Sequence, residues 1–256
     1  HDYGHHSAGV EFELKETSKA IFLDFLNEPT DSERRRRPGI YAAEVYGPKG
    51  RRVQVILLDT RSFKSPPRLA NRPEGAGGSL GKYAPNDDPT ATLLGEAQWR
   101  WLKAQLAEPA ELRLIASSGQ AVADEKGMDE WGNYPLERHR LFDLIASTDA
   151  DGVILLSGNV HFAEISRTDE GPYPLYDFTS SGLTHINEEY PLAPNRYRIA
   201  GPYVDLNFGL VEIDWKNGSS PAVTLRAIGL DGGTAFEMKL HVDELFSGSS
   251  SSERTH

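Results

Sequence analysis

The chain contains no cysteine. Disulfides, thiolate metal ligands and a cysteine nucleophile are therefore excluded. Long apolar runs are missing too. No stretch approaches the ~20 consecutive apolar residues of a membrane-crossing helix, and no signal-peptide pattern precedes His1. Basic residues are in deficit: 27 Lys and Arg against 38 Asp and Glu give a formal charge of −11. That balance argues against nucleic acid or an anionic membrane as the main partner. An acidic chain can still receive a phosphate where local arginines or cations reverse the field.

The 256 residues suffice for a sizeable core, read here as one domain over 1–246 and a Ser-rich, disordered tail from Ser247 to His256. Thr17 to Leu26 has a helical stripe of Ile21, Phe22, Phe25 and Leu26. The run Arg34 to Arg37 reads first as a solvated loop and second as a phosphate trap. Val53 to Leu58 is a strand buried on both faces. Ser65 to Pro89, rich in Pro, Gly and Asn, is a long loop. Helices follow at Gly95–Ala107 and Pro135–Ala146, alternating with apolar strands at Leu112–Ser117 and Val153–Ser157. Beyond these the texture changes to short strands at 162–166, 175–179, 210–215, 222–228 and 236–241. Hairpin signals stand at Lys216-Asn217-Gly218 and Asp231-Gly232-Gly233. This order implies an α/β chain whose mixed sheet is covered by helices, with two packed sheets as the expected arrangement.

Three apolar strands each end in a polar cluster: Asp59-Thr60-Arg61, Ser117-Ser118-Gly119-Gln120, and Ser157-Gly158-Asn159-Val160-His161. Ligands of open α/β sheets bind beyond the carboxyl ends of the strands. Parallel strands would thus bring Asp59, Arg61, Gln120, Asn159 and His161 to one edge. They would present oxygen and imidazole donors for divalent cations and a guanidinium suited to phosphate. Against this stands the plain reading that polar residues mark strand ends.

The runs VQVILLDTR (53–61), LGEAQW (94–99), SGNVHFAE (157–164) and FTSSGLTH (178–185) resemble the PhoD-type alkaline phosphatase/phosphodiesterase family, a branch of the calcineurin-like metallophosphatases. The resemblance runs from His1 to about His241. It implies a calcineurin-like sandwich of mixed sheets covered by helices, export from the cytoplasm, and cation-assisted hydrolysis of phosphate esters, with Ca, Fe, Zn or Mn as cofactor. It makes His1 the leaving-group acid or a transition-state donor and places Asp2, Gln120, Asn159 and His161 at metal-ligand positions. Arg61 would neutralise phosphoryl charge, and Asp59 and His185 would border the substrate.

The chain departs from the family pattern in several places. Asn159 stands where the family carries Asp, and His5-His6-Ser7-Ala8-Gly9 replaces Asn-Asp-Ala-Gly. The family motif Trp-Asp-Asp-His-Asp-Tyr-Gly is matched only by its end, His1 to Gly4, so the chain is expected to lack an amino-terminal segment and to be impaired. The competing reading is an inactive scaffold, subunit or anion-binding module, whose exposed sheet edge would favour pairing with a further chain. His5 and His6 read as a polar terminus rather than a metal trap. Asp124, Glu125, Asp129 and Glu130 read as a solvated loop rather than a cation loop. Trp131 and Tyr134 fit either helix-start packing or a pocket wall. No Gly-x-Ser-x-Gly elbow surrounds Ser180 or Ser181.

Overall fold

A computed structural model describes residues 3–71, 80–215 and 221–248. The helices are α1 (Lys15–Phe25), α2 (Glu33–Arg36), α3 (Gly95–Leu106) and α4 (Pro135–Ser147). The strands are β1 (Ala42–Tyr46), β2 (Val53–Leu57), β3 (Leu112–Ser117), β4 (Val153–Ser157), β5 (Ala163–Thr168), β6 (Leu175–Ser180), β7 (Arg198–Tyr203), β8 (Asn207–Asp214), β9 (Ala222–Gly229) and β10 (Thr234–His241). They form a seven-stranded sheet of order β1-β2-β3-β4-β6-β5-β7 and a three-stranded sheet of order β10-β9-β8. The mixed, helix-covered α/β architecture expected from the sequence is present. Among the described residues no helix is long and apolar enough to cross a membrane.

Strands β2, β3, β4 and β6 are mutually parallel. Parallel strands need crossover connections, which α3 and α4 supply. Trp99, Leu102 and Leu106 of α3 and Leu141, Phe142 and Ile145 of α4 bury against Leu112, Ile115, Val153 and Ile154. Burial on both faces explains why β3 and β4 read as near-continuous apolar runs. Strand β2 corrects the reading made for it: Gln54 and Ile56 are buried, but Val53 and Val55 are only partly covered and Leu57 is exposed. The three-stranded sheet packs over β5, β6 and β7, leaving that face of β2 thinly covered.

Long polar side chains close the helix ends. Glu137 of α4 accepts from the backbone N–H of Leu93 (2.7 Å) and Leu94 (3.2 Å) and from Trp99 Nε1 (2.9 Å), placing a carboxylate at the amino end of α3. At the other end Gln54 donates to the Gln105 carbonyl (2.9 Å) and Arg113 to those of Glu108 (2.8 Å) and Leu106 (3.4 Å). The Leu106 carbonyl, at the end of the helix, is among those left without an intrahelical partner. The cationic run also differs from expectation. Arg35 donates to the Glu28 carbonyl (2.9 Å) and pairs with Asp24 (2.7 Å), and Arg34 donates to the Ile40 carbonyl (2.7 Å). Arg37 lies 4.0 Å from the Tyr41 ring centre. These side chains knit a loop together; they do not form a phosphate trap. On α1, Leu23 is the buried apolar residue, whereas Ile21 and Phe25 of the sequence stripe are 65% and 81% exposed.

Beneath the carboxyl edge of the sheet lies a buried ionic cluster. Lys126 and Glu164 are fully buried and paired. Gln120 donates to Glu164 Oε1 (2.7 Å) and Thr179 Oγ1 (2.9 Å) and accepts from Lys126 Nζ (2.6 Å). Arg198 of β7 pairs with the other Glu164 oxygen, and Asn195 donates to Glu164 Oε1 (2.9 Å). Burial alone would raise the Glu164 pKa, but Lys126 and Arg198 outweigh it and hold the carboxyl below its usual range. Lys126→Met would leave the buried carboxylate with Arg198 as its remaining cationic partner and should destabilise the fold by up to about 3–5 kcal/mol. The double replacement with Glu164→Gln should recover much of the loss. Urea unfolding of both variants checks this; a single-variant loss under about 1 kcal/mol would show that the pair is dispensable.

Candidate functional site

A cleft of about 1610 Å³ opens at the carboxyl edge of the parallel strands. The turn after β2 forms its first wall. Gln98 of α3 clamps the Asp59 backbone, accepting from its N–H and donating to its C=O, both at 2.8 Å. The Asp59 carboxylate is consumed by the turn itself. It accepts from the N–H of Arg61 (3.0 Å), Ser62 (2.8 Å) and Ile40 (2.8 Å) and from Ser62 Oγ (2.6 Å). Asp59 therefore shapes the loop that aims Arg61. The Arg61 guanidinium pairs with Asp129 (3.2 Å), lies 5.7 Å from the Tyr3 ring centre, and keeps 25% of its side chain exposed.

The second wall follows β4. Asn159 and His161 both have positive φ, 76° and 61°, an uncommon conformation for non-glycine residues. Such backbone strain concentrates at functional sites. The geometry is held by His161 N–H donating to Ser181 Oγ (2.9 Å) and Asn159 Nδ2 donating to the Asp129 carbonyl (3.2 Å). His185, from the loop after β6, meets His161 edge-on with ring centres 4.4 Å apart. Partial burial and then the neighbouring His185 push the His161 pKa below its ordinary value, which favours the neutral ring.

Asp59, Arg61, Asn159 and His161 thus line one cleft, as the parallel-strand argument expects, and His185, named through the resemblance, lines it too. Gln120 does not. It is 1% exposed, and its amide is spent on Glu164, Thr179 and Lys126 below the floor. His1 and Asp2 lie outside the described residues, as does the Lys216-Asn217-Gly218 hairpin signal. The acidic loop is not solvated: Asp124 and Glu125 pair with Arg196, Asp129 with Arg61 and Lys64, and Glu130 is buried. Trp131 donates to Ser117 Oγ (2.9 Å) and Tyr134 to the Ser65 carbonyl (2.5 Å), so both are packing residues, although Trp131 also borders the cleft. Lys64 was missed by sequence reasoning. It sits in a loop with no periodicity, and only its burial and its pairing with Asp129 reveal it.

The described residues do not fit a two-cation centre. Hard cations need several carboxylate or carbonyl oxygens. Here Asp59 is saturated by protein donors and Asp129 is held by two cationic side chains. Among the described residues no three His, Asp or Glu side chains are grouped to hold a metal ion. The other metal-capable donors lining the cleft include the Asn159 amide and the imidazoles of His6, His161 and His185.

An open parallel edge with an arginine and paired imidazoles in one cleft defines an α/β protein with a polar cleft at the carboxyl end of its sheet. The model of the PhoD-like phosphatase family matches residues 25–191, and the chain belongs to that family. Alkaline phosphatase D of Bacillus subtilis (strain 168) is 28% identical over 124 residues, which is 44% of this chain and 20% of that protein. A solved structure titled "Structure of PhoD" superposes with a TM-score of 0.67 at 16% identity. It covers 96% of this chain and 52% of the solved one. The chain therefore matches only about half of that structure, and the curated match spans a fifth of its relative.

Glu130, in the cleft wall, generates a stability test. Desolvation raises its pKa to about 8, against some opposition from Lys126 and the Gly127 N–H. Its Oε2 has no hydrogen-bond partner. The folded state thus holds a proton that the unfolded chain has released above its ordinary value of 4.5. Stability should fall as pH rises from about 4.5 to about 8, by several kcal/mol in all. Glu130→Gln should remove that slope, gaining over the wild type as pH rises. Denaturant midpoints of both chains at intervals across the window measure it; a pH-independent gap would show that the carboxyl is not held neutral.

Proposed function

We propose that the cleft binds phosphate esters and hydrolyses them. The observation carrying this reading is the convergence of Arg61, Asn159, His161 and His185 in one cleft on a PhoD-like fold. Arg61 offers a planar set of donors to phosphoryl oxygens and offsets their charge. The neutral His161 ring can accept a proton or a hydrogen bond at the reacting group. Asn159 brings an amide oxygen to the same edge. The cations implied by the resemblance would need further donors, because the described residues supply too few oxygens.

A second reading is supported by the same carboxylates. With Asp59 and Asp129 both engaged by protein groups, the cleft could bind an anionic ester without turning it over. Hydrolysis of a chromogenic phosphodiester, with Ca, Mn, Fe or Zn supplied singly and with chelator as control, separates the two. Under the first reading, Arg61→Ala and His161→Ala each lower turnover about 100-fold or more, as loss of a positioned charge or proton-transfer group does. Ester binding that depends on Arg61, with no turnover under any cation, would establish the second. Hydrolysis indifferent to both substitutions would remove the cleft from consideration.

Asn159→Asp makes a separate case. Restoring a charged oxygen should tighten divalent-cation binding if position 159 is a ligand. Calorimetric titration of the two chains reads this out; equal or weaker binding by the Asp variant would exclude that role.

A further inference from the structure

Between the two walls of the cleft, Asp129 carries a double load. Its carboxylate accepts from Lys64 Nζ at 2.9 and 3.0 Å and pairs with Arg61 at 3.2 Å. The two cations are not equivalent. Lys64 is 1% exposed, and its third donor goes to Ser7 Oγ at 2.6 Å, so all three of its N–H groups have acceptors. Arg61 is a quarter exposed, lines the cleft, and among the described residues its guanidinium has one hydrogen-bond acceptor, Asp129 Oδ2. A guanidinium has five N–H donors in a planar fork. Most of Arg61's capacity is therefore free, and its single bond is the longest of the set.

The backbone fixes Asp129 where this contact forms. Its carbonyl accepts from Asn159 Nδ2 (3.2 Å), and it passes so close to Gly119 that a Cβ there would lie 2.7 Å from the same oxygen. Loops after β2, β3 and β4 thus meet at one residue. An oxyanion in a cleft, held by one bond to a partly exposed arginine, occupies a position that a phosphoryl oxygen could take.

We infer that Asp129 is an internal stand-in for the phosphoryl group: it restrains Arg61 in the empty cleft, and a bound phosphate ester takes over Arg61 while Lys64 keeps Asp129 in place. The inference rests on the cleft being the phosphate-ester site and adds the residue that sets its affinity. Asp129 acts as a positioning residue through Arg61. Lys64 is its permanent counter-ion. The arrangement weakens binding, because each incoming phosphate displaces a carboxylate, but it keeps Arg61 aimed between binding events.

Inorganic phosphate is the probe, titrated calorimetrically into the full chain at low ionic strength, since exposed pairs are screened by salt. Four variants decide: Arg61→Ala, Asp129→Asn, the double replacement Asp129→Asn with Lys64→Met, and that double replacement with Arg61→Ala added. The double variant removes one cation and one anion, so the cluster keeps its net charge and any change reflects the freed arginine. It should bind phosphate about fivefold tighter than the wild type, the scale of a released, partly exposed ion pair. Adding Arg61→Ala should erase the gain. Asp129→Asn alone, whose amide oxygen still accepts from Lys64, should shift in the same direction and serves if the double variant folds poorly. Arg61-dependent binding that is unchanged or weaker in the Asp129 variants would overturn the inference and leave the site reading intact. Binding indifferent to Arg61 in every chain would overturn both.

Discussion

The buried pair of Lys126 and Glu164 is the interaction on which the site depends. Two charges with no solvent exposure are tolerable only when each is paired and hydrogen-bonded. Here the requirement recruits Gln120 from the loop after β3, Thr179 from β6, Asn195 and, from β7, Arg198. These partners come from both halves of the chain. Satisfying one carboxylate therefore fixes how the parallel strands and the antiparallel extension meet. It also fixes the path of residues 120–130, which run from Gln120 to Lys126 beneath the cleft and then rise to Asp129 in its wall.

From Asp129 the constraint passes outward. Its carboxylate places Lys64 and Arg61, and its carbonyl receives Asn159, so the loops after β2 and β4 are registered against a loop anchored in the core. The electrostatics follow the same layering. A chain of formal charge −11 presents an arginine at the cleft because acidic groups nearby are internally neutralised. Asp59 is wrapped in four protein hydrogen bonds, Asp129 is countered by two cations, and Glu130 is pushed by burial toward its neutral form. A local reversal of the field inside an acidic protein is the electrostatic condition on which the proposed function rests.

Elements whose local pattern and tertiary environment agree were legible in the sequence. β3 and β4 have the bounds read for them, and α3 and α4 differ from theirs by one residue, because apolar runs and helical stripes there match the burial found. β1 and β7 were invisible. Each is an edge strand with one neighbour in its sheet, and β7 contains Gly201-Pro202, residues that read as a turn but are tolerated at an edge. The stripe on α1 was real as a pattern, yet Ile21, Phe22 and Phe25 border the cleft while Leu23 takes the place in the core.

What the sequence by itself determined was the parallel α/β core and the edge at which Arg61, Asn159 and His161 emerge. A strand ending and the polar residues just after it are local facts, and parallel strands place their ends together by necessity. Only the tertiary structure decided what those residues can do. Gln120 has a ligand-like position in the chain but turns inward, because a buried Lys–Glu pair needs its amide more than the cleft does. Lys64 and Asp129, unremarkable in their loops, meet across 65 residues to form the cluster that holds Arg61. Pairing between distant side chains depends on burial and on which donors remain unsatisfied, and neither quantity exists until the chain has folded.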